Sequence, residues 1–176
     1  MKKVLAIGAS NSSKSINKVF ATYVAKRIKD VSVVTADWED LVLPLYSPDI
    51  EALEGIPENA QNFRTLVRSV DAIVLSLAEY NGMPTAAFKN LWDWTSRIDM
   101  KFWSNSPMFL MAVSPGGRGG ANVLRLTKDL MPHFAGNVIT DFSLPFFYEN
   151  YQHGNLVNEK LNAELTEKIQ LFQKSI

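Results

Sequence analysis

The sequence predicts an α/β protein: a doubly wound, five-stranded parallel sheet in the order 2-1-3-4-5, with helices on both faces. Three observations predict it. Short, nearly uninterrupted apolar runs recur along the chain, as expected for strands buried on both faces. Each is followed by residues whose apolar positions repeat at helical spacing, so strand and helix alternate five times, the pattern of a parallel sheet. The loops after the first, third and fourth runs are unusual: residues 9–17 carry serines, 78–84 an Asn-Gly turn beside a tyrosine, and 114–120 four glycines. In the order 2-1-3-4-5 those strands are neighbours, and ligands of such sheets bind outside the carboxyl ends of the strands, where the order reverses.

The first strand spans about Lys3 to Ile7. Gly8–Asn17 then leaves the strand and opens a helix from Ile16 to about Lys29, in which Val19, Phe20, Tyr23, Val24 and Ile28 recur at helical spacing. β-Branched residues mark Val31–Thr35 as the second strand. Leu43–Pro48 carries two prolines and reads as irregular. Gly55-Ile56-Pro57-Glu58 starts a second helix, with proline near the first turn and a carboxylate near the positive end, and it runs to about Ser69. Ala72–Leu77 is the third strand, residues 78–84 its loop, and Thr85 to Arg97 the third helix. Met108–Val113 is the fourth strand and residues 114–120 its loop; the fourth helix starts near Ala121 and ends near Leu130, because Pro132 cannot continue it. Gly136 suits a turn before a fifth strand at Asn137 to Phe142, and Leu161, Leu165, Ile169 and Phe172 give a last amphipathic helix. No repeat, low-complexity tract or linker divides the chain, so residues 1–176 read as one domain.

Composition narrows the function. Hydrophobic residues are 47% and charged residues 20%, an ordinary globular balance. Lys+Arg and Asp+Glu are 18 each, so the basic excess of a nucleic-acid footprint is absent. There is no cysteine, which excludes disulfides, thiolate metal sites and catalytic thiols. The apolar run after Met1-Lys2-Lys3 is too short for a signal-peptide core or a membrane span, so a cytoplasmic protein without a membrane partner is expected. His133 and His153, the only histidines, fall in different elements and read as surface or packing residues, so no metal site is expected.

The loop Gly8-Ala9-Ser10-Asn11-Ser12-Ser13-Lys14-Ser15-Ile16-Asn17 organises the rest. A helix N-terminus exposes backbone N–H groups and partial positive charge, and serine hydroxyls added to it make a phosphate site. Ser15 alone would need to be no more than a helix cap, but Ser10, Ser12, Ser13 and Ser15 together point to anion binding. The loop is one residue short of the P-loop pattern and has Ser13 where its second glycine belongs, and no G-x-G-x-x-G follows the first strand. In the second loop, Asn81-Gly82 signals a turn, and Tyr80 offers an aromatic face with a polar tip. In the third, four glycines let backbone approach a flat ligand closely.

These motifs resemble those of the NADPH-dependent FMN reductase family, flavodoxin-like in fold. "GASNSSKSIN" looks like its G-S-x-R-x-x-S-x-N signature. "AEYNGMPTAAFKNLWDW" looks like its P-E-Y-N-x-x-x-P-x-x-L-K-N-x-x-D-W, and "SPGGRGGANVLRLTKDLM" resembles its glycine-rich segment and following helix. The resemblance implies that Ser10, Ser12, Ser15 and Asn17, with the backbone of the first helix from Ile16, hold the FMN phosphate. Glu79, Tyr80, Asn81 and Gly82 would line the isoalloxazine and ribityl chain, and Ser114, Gly116 and Gly117 would approach the far edge of the flavin. Alignment on Ser15-x-Asn17 puts Ala9 at the family's glycine and Ser12 at its arginine; Ala78 replaces its proline, and Lys14 supplies a positive charge as a point charge.

The function this implies is an FMN-dependent NAD(P)H oxidoreductase. Hydride would pass from NADPH or NADH through flavin N5 to a small-molecule electron acceptor, a flavin, quinone or azo compound, in ping-pong fashion, with no catalytic side chain required. Trp92, Trp94, Met100, Phe102 and Trp103 exceed what one helix stripe needs, and the resemblance, whose members commonly dimerise near this helix, implies a homodimer or homotetramer. A flavodoxin-like electron carrier or a non-enzymatic FMN-binding protein is the alternative on the same fold.

Overall fold

A computed structural model describes every residue, Met1–Ile176. In chain order the elements are β1 (Lys2–Ala9), α1 (Ile16–Lys26), β2 (Val31–Thr35), α2 (Pro48–Glu54), α3 (Glu58–Arg68), β3 (Ala72–Leu77), β4 (Glu79–Tyr80), β5 (Met83–Pro84) and α4 (Ala86–Ile98). They continue as β6 (Pro107–Val113), α5 (Ala121–Leu130), β7 (Asn137–Leu144), α6 (Phe147–Asn150), β8 (Tyr151–Gln152), β9 (Asn155–Leu156) and α7 (Glu159–Gln173). Short 3₁₀ turns cover Trp38–Leu41 and Met131–Phe134.

Five strands form one parallel sheet in the order β2-β1-β3-β6-β7, which is the order 2-1-3-4-5 among sheet strands and the flavodoxin-like winding. Side chains alternate across it. Val4 and Ala6 of β1 face α1 and α7, within a core cluster that includes Phe20, Val24, Leu165, Ile169 and Phe172. Leu5, Ile7 and Ala9 face the other way, toward Phe63 and Val67 of α3, Leu91 and Trp92 of α4, and Val123 of α5. Both faces are covered, so β3 is buried over its whole length, as its unbroken apolar run requires.

Three local readings change. The first helix stops at Lys26 rather than Lys29, because Asp30 takes a left-handed φ of 59° that turns the chain into β2. Pro48 begins α2 rather than prolonging an irregular stretch: it occupies the first turn, where proline needs no N–H partner, and the Ser47 side chain caps the helix by accepting from the Asp49 amide. Residues 147–156 form α6 and the β8–β9 hairpin, where no element was expected.

The aromatic set after the second motif is core. Trp94, Phe102 and Trp103 are fully buried and Trp92 nearly so; Met100 alone is exposed. Trp94 donates to the Pro44 carbonyl at 2.7 Å and meets Tyr46 edge to face, so the 43–46 segment covers the face of α4 that carries Trp94. These tryptophans therefore give no support to a self-association face. No helix is long and apolar enough to cross a membrane.

Arg64 of α3 is buried and holds Asp99, at the end of α4, through its guanidinium. That bond, and the Lys101 amide after it, keep the Asp99 carboxyl below the usual carboxylate range. A depressed native pKa contributes stability that is complete above the unfolded value and is lost as pH falls through the native one. Asp99→Asn is therefore expected to cost about 2 kcal/mol at neutral pH, the scale of a charge-assisted hydrogen bond to a buried group. Urea unfolding between pH 3 and 7 checks it: the gap between wild type and variant should close toward the acid end.

Candidate functional site

The loops after β1, β3 and β6 converge at the carboxyl edge of the sheet, as the strand order requires. They enclose a cleft of about 180 Å³. The first loop contributes Ser10, Ser12, Lys14, Ser15, Ile16 and Asn17; the second, Ala78, Glu79 and Tyr80; the third, Val113, Ser114 and Pro115; and Tyr148 of α6 completes the wall.

The first loop is wired by its own serines. Ser10 Oγ accepts from the Ser12 amide at 3.3 Å, Ser12 Oγ from the Lys14 amide at 3.2 Å, and Ser15 Oγ caps α1 by accepting from the Lys18 amide at 3.1 Å. Ser15 thus is the N-cap. None of these three hydroxyls donates within the protein, so each keeps its O–H for an anion in the cleft. The backbone N–H groups of Ile16 and Asn17 likewise donate to nothing in the protein. Lys14 is exposed beside them and pairs with no carboxylate. Ser13, by contrast, faces the outer side of α1. The donor set suits a phosphate dianion: several N–H and O–H donors and one free cation around the positive end of a helix.

Asn17 is buried and committed to the protein. Its Oδ1 accepts from the Ser76 hydroxyl of β3 at 2.6 Å, and its Nδ2 donates to the Val113 carbonyl at the end of β6 at 3.2 Å. It therefore offers the cleft its backbone N–H, with its amide side chain serving as a tie. Gly8 permits this seating: a Cβ there would lie 2.2 Å from the Lys18 amide nitrogen.

In the second loop, Asn81 and Gly82 form the two-residue turn of the β4–β5 hairpin, both at positive φ (53° and 77°). They sit at the hairpin tip and do not line the cleft, whereas Tyr80 does and is largely exposed. Glu79 lines the cleft but turns its carboxylate to the Val123 amide, 2.8 Å away, in the first turn of α5. That helix begins at Gly120, which has no side chain to cap it. In the third loop Ser114 lines the cleft and donates to the Gly116 carbonyl, while Gly116 and Gly117 lie outside. Gly117 packs on Phe146, and Gly119 abuts Ser143 so closely that a Cβ would lie 2.3 Å from its hydroxyl oxygen.

Sequence reasoning missed the aromatic residues Phe146 and Tyr148, exposed beside this edge. Their signal is the run Pro145-Phe146-Phe147-Tyr148 directly after β7, which leaves the sheet at the same edge. No group of three or more His, Asp or Glu side chains is placed to hold a metal ion.

The Glu79 bridge is testable. Glu79→Ala should cost about 1 kcal/mol by removing the cap of α5, whereas Glu79→Gln, which keeps an acceptor oxygen, should recover most of it. Chemical denaturation of the two variants beside wild type reads the difference.

Comparisons with known proteins agree with this architecture. The chain is 32% identical over 120 residues to an NAD(P)H-dependent FMN reductase of Pseudomonas aeruginosa, a match covering 68% of this chain and 63% of that protein. It is 28% identical over 134 residues to a quinone reductase of Escherichia coli, covering 70% of each. Among solved structures, the flavoenzyme NAD(P)H:(acceptor) oxidoreductase FerB of Paracoccus denitrificans superposes with a TM-score of 0.78 at 23% identity, over 99% of this chain and 96% of that one, which shows a shared fold. The model of the NADPH-dependent FMN reductase family matches residues 2–149, and with these loops at that sheet edge the chain belongs to that family.

Proposed function

We propose that the protein is an FMN-dependent NAD(P)H oxidoreductase, built as one FMN-binding domain over residues 1–176, that reduces a small-molecule acceptor. The observation that carries this reading is the set of free donors at the start of α1: the N–H groups of Ile16 and Asn17 and the hydroxyls of Ser10, Ser12 and Ser15, with the unpaired Lys14 beside them. FMN held there by these donors would supply the redox chemistry, hydride transfer from NADPH or NADH to a flavin, quinone or azo acceptor.

The chain's own part is binding and orientation. The α1 donors hold the phosphate and fix one end of the cofactor. Tyr80 would flank the ribityl chain and ring and Ser114 the far edge, whereas Asn81 and Gly82 at the hairpin tip and Gly116 and Gly117, all outside the cleft, would shape the two loops that carry them. Glu79 keeps the second and third loops together by bridging to α5. The exposed Tyr80, Phe146 and Tyr148 leave a flat, open apolar entrance suited to a nicotinamide or an aromatic acceptor, and no side-chain acid or base is required. The family match and the relatives' names support the donor and acceptor classes.

Self-association into a homodimer or homotetramer belongs to the same proposal, and its support lies in Val42, Leu45 and Leu53. All three are at least 70% exposed within one short stretch of chain.

Protein loaded with FMN and desalted should keep a flavin absorption spectrum that bleaches on anaerobic addition of NADPH or NADH. Absence of both flavin retention and NAD(P)H oxidation would refute the reading. Lys14→Ala should weaken FMN binding about tenfold, the worth of one charge-assisted contact, with turnover at saturating FMN retained. Light scattering should report a dimer or tetramer, and Leu53→Lys should shift it toward monomer.

A further inference from the structure

Helices α4 and α5 lie on the same face of the sheet, and a groove of about 220 Å³ opens between them. It shares no lining residue with the cleft at the carboxyl edge. Pro84, Phe88 and Trp92 line it from the hairpin and α4, and Thr127, Leu130 and Phe134 from α5 and the 3₁₀ turn that follows. Trp92 meets Phe88 and Phe134 edge to face, with ring centroids 5.8 and 4.9 Å apart, so the three rings brace one another. An apolar cavity of about 150 Å³ takes a benzene ring. This groove therefore has room for two fused rings.

Thr127 is buried, at 1% exposure, yet its hydroxyl has no hydrogen-bond partner. A threonine inside a helix commonly donates to the carbonyl four residues back. Thr65, Thr95 and Thr166 do so, at 2.9, 2.6 and 2.6 Å. Thr127 makes no such bond to Val123. A buried hydroxyl left unpaired costs stability, so in a groove wall it marks the place where a bound molecule supplies the missing acceptor. The other polar side chains of the lining are committed. Ser96 donates to the Asp93 carbonyl at 2.8 Å, and Lys89 and Asp93 neutralise each other as an ion pair at 2.7 Å. The ligand that fits is flat, apolar and uncharged, with one oxygen that accepts.

We propose that the α4–α5 groove binds a neutral aromatic carbonyl compound of one or two rings, its ring against Trp92 and its carbonyl oxygen accepting from the Thr127 hydroxyl. A plain hydrocarbon fills the same volume but leaves that hydroxyl unmet. A charged ligand loses its hydration against apolar walls and finds Lys89 and Asp93 already paired. The site needs no flavin and touches no residue of the phosphate cradle, so it and the FMN reading stand or fall separately.

Calorimetric titration with indanone, a bicyclic aromatic ketone, and with indane, the same skeleton without the oxygen, tests this. The ketone should bind with a single site per chain and about tenfold more tightly than the hydrocarbon, the worth of one hydrogen bond to a buried group. Thr127→Val keeps the shape of the side chain and should erase that difference while leaving indane affinity unchanged. It should also leave the urea midpoint equal or higher, since the deleted hydroxyl has no partner to lose. Leu130→Trp, at the exposed rim, should fill the groove and abolish binding of both compounds. Failure of the ketone to bind, or a ketone advantage that survives Thr127→Val, would overturn the proposal. So would a lowered urea midpoint for Thr127→Val, which would show the hydroxyl to be bonded within the fold. Binding that falls away as protein concentration rises, with light scattering showing a larger species that Leu130→Trp disperses, would overturn it in favour of a second copy of the chain covering the groove.

Discussion

The side chain of Asn17 joins three elements with one amide. It sits in the first turn of α1, receives the Ser76 hydroxyl from β3 and donates to the last carbonyl of β6. All of these atoms are buried, where an unpaired polar group costs about 1–3 kcal/mol. The tie therefore fixes where α1 starts relative to the two central strands. Gly8 adds a steric condition, since only a residue without a Cβ lets the Lys18 backbone come so near to β1. The end of β1 is fastened from other directions too: Trp38 donates to the Gly8 carbonyl and Thr85 to that of Ala9. The unpaired N–H groups of Ile16 and Asn17 are aimed by this arrangement, so packing of the sheet and placement of the anion site are one constraint.

Much of this was legible in the sequence, for identifiable reasons. A strand buried on both faces cannot hide its composition, and Ala72–Leu77 is read to the residue. Convergence of three loops follows from topology alone once the strands are placed. The Asn81-Gly82 turn is legible because positive φ at two successive positions selects those residue types. What was not legible depended on partners far away in sequence. Nothing near Glu79 reveals that its carboxylate reaches Val123, forty-four residues on. Nothing near Trp94 reveals that Pro44 and Tyr46 will cover it, so a helix with tryptophans on two faces suggested a surface that the 43–46 segment in fact buries. Pro48 misled in a different way: proline breaks a helix interior and suits a first turn, and only the Ser47 cap distinguishes the two.

Two of the helices that start at this edge, α1 and α5, differ in a way that gives the cleft a direction. Each points a positive N-terminus toward this edge of the sheet. At α5 the Glu79 carboxylate takes the Val123 amide and sets a full negative charge against the helix end. At α1 Asp37 is committed to Lys18, and Lys14 pairs with no carboxylate. One end of the cleft is thereby compensated from within the protein while the other is left electrostatically open. A ligand with a single anionic terminus and a flat neutral body would then favour one orientation, its charge at α1 and its ring toward Tyr80 and the third loop. Reversal would set the anion beside Glu79 and leave the α1 donors unmet, so discrimination between the two poses arises from the placement of one carboxylate as much as from the serines opposite it.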